Sequence, residues 1–378
     1  MTPVYIDCNA TTPLEPEVLE TVCRYLADSF GNPGSSTHSF GRTAQAAVQR
    51  AREEVAAVVA ADPNEVIFTS GATEANNLAL LGLAQHGEEI GRRHILASAI
   101  EHKAVLEPLE QLKRRGFEIE LIPVDADGRV RVDLLRESLR PDTLLVSVMH
   151  ANNETGIVQP LGEICAALAR HPAFLHTDAA QGFGKELTLL MSRRLDLISV
   201  SGHKIYGPKG IGALVVRRRG ESEVPLSPIM YGGGQEGGLR PGTLATPLIA
   251  GLGTAARLAL ANHQERAAAC LAFRERALAA LAPLRPYLNG NPAYSLPHAI
   301  NIAIPRVLAE EAVDALQHLV AVSTTSACNS SRTAPSHVLA AMGVPRPRAV
   351  ASLRLAWCHL TTEPDWEAVV EVLKRLQG

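Results

Sequence analysis

From about residue 65 to residue 216 the chain alternates short β-rich runs with segments of helical spacing, and this alternation restricts the fold more than any other feature. Residues 65–68, 94–98, 118–123, 143–149, 173–178, 195–200 and 211–216 read as strands. Between most of them lie stretches such as 74–85 and 161–170, whose apolar spacing suits helices packed on a sheet. Strands separated by helices join in parallel through crossovers, so the pattern predicts an α/β fold with a mainly parallel sheet of seven strands covered on both faces. The Ala- and Leu-rich stretch 248–281 reads as one long helix, broken near Pro283. After it the pattern changes to strand and helix in turn, which predicts a smaller C-terminal α/β domain to which the N-terminal arm returns. A chain of 378 residues has room for two domains. The expected division is a large domain over 15–255 and a small one made of 1–14 and 256–378.

Composition narrows the partners. With 36 basic against 39 acidic side chains the net charge is −3, which gives no general electrostatic reason to bind nucleic acid or an anionic membrane. Met1 to Asp7 shows no basic segment followed by an apolar one, and no apolar run is long enough to span a bilayer. A cytoplasmic protein is expected. The six cysteines, Cys8, Cys23, Cys165, Cys270, Cys328 and Cys358, form no Cys-x-x-Cys pair, so neither a zinc site nor a disulfide framework is indicated. The glycine-rich run Gly232 to Gly238 fits no phosphate fingerprint and reads as a mobile turn.

Chemistry concentrates where strands end. In 195–204 an apolar strand gives way to Ser201, Gly202, His203 and Lys204. Ligands bind at the carboxyl ends of strands in open α/β sheets, and a lysine held there can form a Schiff base with a carbonyl cofactor. For a lone lysine the alternative is a solvated side chain in a turn. Asp178 ends another strand and is expected at the same edge, where a carboxylate can keep a pyridine nitrogen protonated; helix capping is its alternative role. The turn from Thr69 to Glu74 joins a strand to a helix, and its small residues would let main-chain N–H groups meet an anion.

Taken in order, the motifs resemble those of a cysteine desulfurase, a pyridoxal phosphate enzyme of the class V aminotransferase family with the fold type I architecture. The match begins at Asp7 to Pro13 and Phe30 to His38. It continues through Thr69 to Asn77, Glu101-His102-Lys103, His150 to Gly156, His176 to Gln181 and Ser201 to Lys204, and ends with Arg240 to Thr243, Ser326-Ala327-Cys328 and Ser352-Leu353-Arg354. The resemblance implies that Lys204 binds pyridoxal 5'-phosphate covalently and that Asp178 pairs with its ring nitrogen. Asn153 and Gln181 would contact the ring oxygen, His102 would stack on the ring and exchange protons, and Ala72, Thr73, Ser201 and His203 would hold the phosphate. Thr243 would reach the phosphate of the other subunit, making a homodimer. Arg354, with Asn32 assisting, would take the carboxylate of L-cysteine, for which the guanidinium fork is suited; a structural ion pair is the alternative for Arg354. Cys328, in a polar segment of small residues, would accept the sulfur as a persulfide and pass it to an acceptor protein.

Two departures bear on the pathway. Members of the family commonly place glycine where this chain has Thr325, beside a second β-branched residue, Thr324. That exchange restricts the backbone, so Cys328 is expected on or beside a strand. The sequence also ends at Leu376-Gln377-Gly378, directly after the last expected helix, which favours a specialised sulfur donor resembling those of DNA phosphorothioation over one serving iron-sulfur assembly. The alternatives are a selenocysteine lyase, another fold type I enzyme, or a non-catalytic sulfur carrier.

Overall fold

A computed structural model of the chain describes residues 2–324 and 336–378. Its centre is a sheet of seven strands: β2 (Val66–Thr69), β3 (His94–Ser98), β4 (Glu118–Ile122), β5 (Thr143–Ser147), β6 (Phe174–Asp178), β7 (Leu197–Ser201) and β8 (Gly212–Val216). β1 (Val4–Tyr5) precedes them. The order across the sheet is β2-β8-β7-β6-β5-β3-β4, and every pairing is parallel except the two made by β8. The sheet is therefore mainly parallel, as expected. Strand limits differ from the sequence reading by one or two residues, because hydrophobicity continues past the last paired residue in runs such as Val148-Met149.

Successive side chains of a strand face opposite sides, and here both sides are dry. Leu96, Val146 and Ile198 point into one apolar layer with Val55 of the helix Ser39–Val58 and Leu252 of the helix Thr246–Ala261. Their neighbours Ile95, Leu145 and Leu197 point into the other, with Leu78 of the helix Ala72–Gly82 and Leu109 of the helix Lys103–Arg114. This two-sided burial produces the near-continuous apolar strands seen in the sequence.

A second core lies beyond residue 263. The strands β9 (Tyr287–Leu288), β10 (Ala299–Ala303), β12 (Ser323–Thr324) and β13 (Ser352–Ala356) form an antiparallel sheet in the order β12-β13-β10-β9. Ile300, Ile302, Leu353 and Leu355 pack there on Phe273, Val369 and Trp357. β11 (Val320–Ala321) pairs in parallel with β1, and Asp7 then bridges to Ala356, so the N-terminal arm joins this half of the molecule. Ile6 is fully buried in its core.

Two features differ from expectation. The stretch 248–281 is two helices, Thr246–Ala261 and His263–Leu281, separated at Asn262, whose backbone leaves the helical region (φ −106°, ψ 14°). The apolar spacing runs unbroken across the joint, so periodicity alone could not show it. Also, Val338, Leu339, Met342 and Ala349 pack into a core layer of the large sheet rather than into the small one.

Candidate active site

Five strands of the large sheet deliver polar residues to one edge. Beyond β2 come Ser70 to Thr73, beyond β3 His102, beyond β5 Asn153, at the end of β6 Asp178, and at and beyond β7 Ser201, His203 and Lys204. With Gln181, Asn9 and Arg354 they line one cavity of about 620 Å³. Of the residues singled out in the sequence, Ala72, Thr73, His102, Asn153, Asp178, Gln181, Ser201, His203, Lys204 and Arg354 meet there.

Asp178 is almost fully buried. Its Oδ2 accepts from Asn76 Nδ2 at 2.7 Å and its Oδ1 from the Ala180 N–H at 2.9 Å, so the carboxylate is fixed in orientation. Asn76, itself fully buried, was not singled out in the sequence; its position one helical turn after Gly71-Ala72 is the only cue. His102 caps the helix Lys103–Arg114, its Nδ1 accepting from the Ala104 N–H at 3.1 Å. A ring with Nδ1 as acceptor carries its neutral-form proton on Nε2. Burial, aided by the charges of Lys204, His337 and Lys103, holds the imidazole below its ordinary pKa against the pull of Asp178. Burial and the charges of Lys204, Lys209 and Lys185 push His203 further, to about 4, so it is neutral.

The turn after β2 depends on two glycines. Gly71 precedes the helix Ala72–Gly82 with φ +153° and supplies no capping side chain, leaving the first N–H groups of an 11-residue helix facing the cavity. β8 passes between β2 and β7, with Gly212 in register with both Thr69 and Ser201. A Cβ on Gly212 would stand 2.3 Å from the Val200 carbonyl oxygen and 2.6 Å from Gly71 Cα, so only glycine lets the two turns approach.

The N-terminal arm closes the opposite side. Lys204 Nζ donates to the carbonyls of Asn9 and Ala10, the latter at 2.8 Å, and Gln181 Nε2 donates to Asn9 O at 3.0 Å. Thr11 Oγ1 lies 3.1 Å from His203 Nδ1, while the Thr12 hydroxyl donates to His203 O and accepts from the Tyr206 N–H. Asp7 to Thr12 therefore act as a strap across the lysine turn. Sequence reasoning marked the motif but not this function, since main-chain carbonyls have no residue signature.

Arg354, in β13, is 4% exposed and pairs with Asp7 through Nη2 at 2.7 Å. The structural ion pair weighed in the sequence is thus present, yet Arg354 also lines the cavity and its Nε has no partner among the described residues. Asn32 does not line this cavity. Its Oδ1 accepts from the Gly34 N–H in a local turn, and with Thr243 it lines a separate cavity of about 580 Å³, away from Lys204. The glycine-rich run is anchored at Glu236, whose carboxylate accepts from the Phe68 N–H at 2.7 Å and from Arg52 at 2.6 Å. Cys328 and Thr325, with the expected strand placement of the thiol, lie outside the described residues. Among the described cysteines Cys8, Cys270 and Cys358 are buried, Cys165 is half-buried and Cys23 is exposed. Burial raises Cys165 and pushes Cys270 up to about 12, as suits packing residues.

The donor set suits pyridoxal phosphate. A helix N-terminus without a side-chain cap flanked by Ser201 and His203 matches a phosphate, a fixed buried carboxylate matches a ring nitrogen, and a lysine at the cavity wall matches a carbonyl. Gln181 Oε1 and Asn76 Oδ1 are buried with no partner among the described residues, as befits polar groups awaiting a ligand.

Comparison with known proteins agrees. The family profile described as aminotransferase class-V matches residues 4–369. The cysteine desulfurase IscS of Methylococcus capsulatus is 43% identical over 376 residues, covering 98% of this chain and 92% of that protein. The structure of DndA from Streptomyces lividans is 49% identical, covers 92% of this chain and 98% of its own, and superposes with a TM-score of 0.81. The structure of SspA in complex with cysteine is 36% identical, covers 95% and 100%, and has a TM-score of 0.82. No described helix is long and apolar enough to cross a membrane.

Proposed function

This chain belongs to the aminotransferase class-V family and is a pyridoxal phosphate-dependent cysteine desulfurase converting L-cysteine to L-alanine, and from that premise we propose the following roles for its residues. Lys204 would hold the cofactor covalently. Asp178 would pair with its ring nitrogen, Asn153 and Gln181 with its ring oxygen, and Ala72, Thr73, Ser201 and His203 with its phosphate. Bound there, pyridoxal phosphate supplies the sink for the electron pair released when the substrate loses its Cα proton.

The chain's own groups do the rest. Arg354 binds the substrate carboxylate and orients the amino acid. Lys204 Nζ would take and return the Cα proton. His102, neutral with its proton on Nε2, exchanges protons with the substrate thiol and the departing alanine. The Cys328 thiolate attacks the substrate sulfur, the carbon–sulfur bond breaks, and the products are L-alanine and a Cys328 persulfide. The observation that carries this reading is the meeting of Lys204, Asp178, His102 and Arg354 in one cavity at the carboxyl ends of the sheet strands. Borohydride reduction of the yellow holoenzyme should bleach the yellow and leave the cofactor attached to the peptide containing Lys204, and K204A should lack both the yellow colour and alanine production. Cys328→Ser should keep the colour and lose the persulfide; a coloured K204A adduct on another lysine, or a persulfide in C328S, would refute the assignment.

The active unit is proposed to be a homodimer in which Thr243 serves the other subunit, in keeping with its distance from its own Lys204 cavity. The division into 15–255 and 1–14 with 256–378 is likewise proposed, supported by the separate apolar core beyond residue 263. Five described free thiols suit a reducing compartment, the cytoplasm. The acceptor is proposed to be a dedicated partner of the DNA phosphorothioation type: Thr325 departs from the common glycine, and identity to DndA exceeds identity to IscS. Single-turnover persulfide formation should accelerate when that acceptor is added. Equal rates with and without it would sink this part, and a higher rate on selenocysteine than on cysteine would favour the lyase.

A further inference from the structure

We propose that Asp7 is a positioning residue for the substrate carboxylate: it fixes the Arg354 guanidinium and so sets the cavity's preference for amino acids over amines. The inference rests on the proposed role of Arg354 as the carboxylate-binding group.

Arg354 Nη2 donates to Asp7 Oδ1 at 2.7 Å, while Oδ2 of the same carboxylate accepts from Ser323 Oγ at 2.6 Å. Ser323 is the cross-strand partner of Arg354, so one carboxylate clamps a β12–β13 pair. Asp7 is itself held. It bridges to Ala356, two residues beyond Arg354, and the Tyr5 hydroxyl spans the Asp7 and Thr11 carbonyls at 3.0 Å each. A long side chain with many rotamers is thereby confined to one arrangement before a ligand arrives, which removes an ordering cost from binding.

A purely structural ion pair would use up the guanidinium donors away from the cavity. Here Arg354 and Ser323 both line the cavity. Among the described residues Nη1 makes only a long contact, 3.3 Å to Asn153 O, and the buried Nε makes none. Asp7 engages one of the two N–H bonds of Nη2, so Nη1 and the second N–H of Nη2 remain for a planar anion. A substrate without a carboxylate gains nothing from this arrangement.

The test uses holoenzyme and two probes, L-alanine and L-alaninol, which carries a hydroxymethyl group in place of the carboxylate. Their dissociation constants are read from the absorbance of the bound cofactor, alongside KM and kcat for L-cysteine. Asp7→Ala should weaken L-alanine about tenfold or more and raise KM similarly, with L-alaninol and kcat changed less than about twofold, the scale of one charge-assisted hydrogen bond. Asp7→Asn keeps an oxygen acceptor and should recover most of the loss. If D7A does not accumulate as folded protein, Asp7→Glu, which displaces the carboxylate by one methylene, should weaken L-alanine selectively. Unchanged L-alanine binding, equal weakening of both probes, loss of the cofactor, or failure of D7N to recover would each overturn the proposal. Arg354→Ala separates the two levels. If it abolishes the preference for L-alanine while D7A does not, Asp7 alone is misassigned; if R354A leaves the preference intact, the carboxylate assignment falls as well.

Discussion

Glu101 stands one residue before His102 and is wholly buried, its Oε1 accepting from the Ser98 hydroxyl and the Met149 N–H while its Oε2 has no partner among the described residues. Burial, reinforced by the charge of Asp178, pushes its carboxyl up to about 8. The folded enzyme therefore keeps a proton that the unfolded chain releases above the ordinary carboxylate range. Stability from this group is complete at low pH and is lost as the pH rises to about 8. Compared with the wild type, Glu101→Gln should flatten that decline, by a few kcal/mol between pH 5 and pH 8.5 in denaturant unfolding. A difference that does not change with pH would show that Glu101 titrates normally. Single residues were unevenly legible. Lys204 and Asp178 could be found because side-chain chemistry at a strand end is visible in the sequence. Asn9 could not, because it acts on Lys204 and Gln181 through its carbonyl.

At the scale of elements, the passage of β8 between two turns is a stringent packing requirement. Gly212→Ala places a methyl against main-chain atoms of Val200 and Gly71, which cannot yield as a side-chain tip can. We expect a loss of about 2–3 kcal/mol in unfolding free energy. Phosphate-dependent cofactor affinity should fall as well, since the Gly71 turn must shift; calorimetric cofactor titration beside thermal unfolding will show both. Most strands were readable because burial on both faces leaves a dense apolar run bounded by polar residues. The joint at Asn262 was not, because both helices bury apolar residues at continuous spacing. The placement of Asn32 was hidden for a related reason: its motif was clear, but a two-residue turn to Gly34 decides where its amide points.

For the whole molecule, the separate cavities of Lys204 and Thr243 allow a test of shared sites. K204A and T243A homodimers should each be impaired. In the proposed homodimer, co-expressed mixed dimers should recover one wild-type site each, about half the wild-type activity per mixed dimer, because one cavity then holds both intact residues, as closed two-fold symmetry requires. No recovery would place Thr243 in its own subunit's service or outside the site. The parallel sheet and the return of the N-terminal arm could both be foreseen, but the pairing of β1 with β11 that makes the return could not, since it rests on two short stretches with little pattern of their own.

That contact also orders events during synthesis. Asp178 and Lys204 leave the ribosome almost together, whereas Asp7 is separated from Arg354 by 347 positions. At about 5–20 residues per second, the arm waits roughly 20–70 s for its partner strand. A nascent chain can thus fold its central sheet long before it can grip an amino acid, and any chaperone or fusion that sequesters the first dozen residues would delay catalytic competence without delaying that sheet.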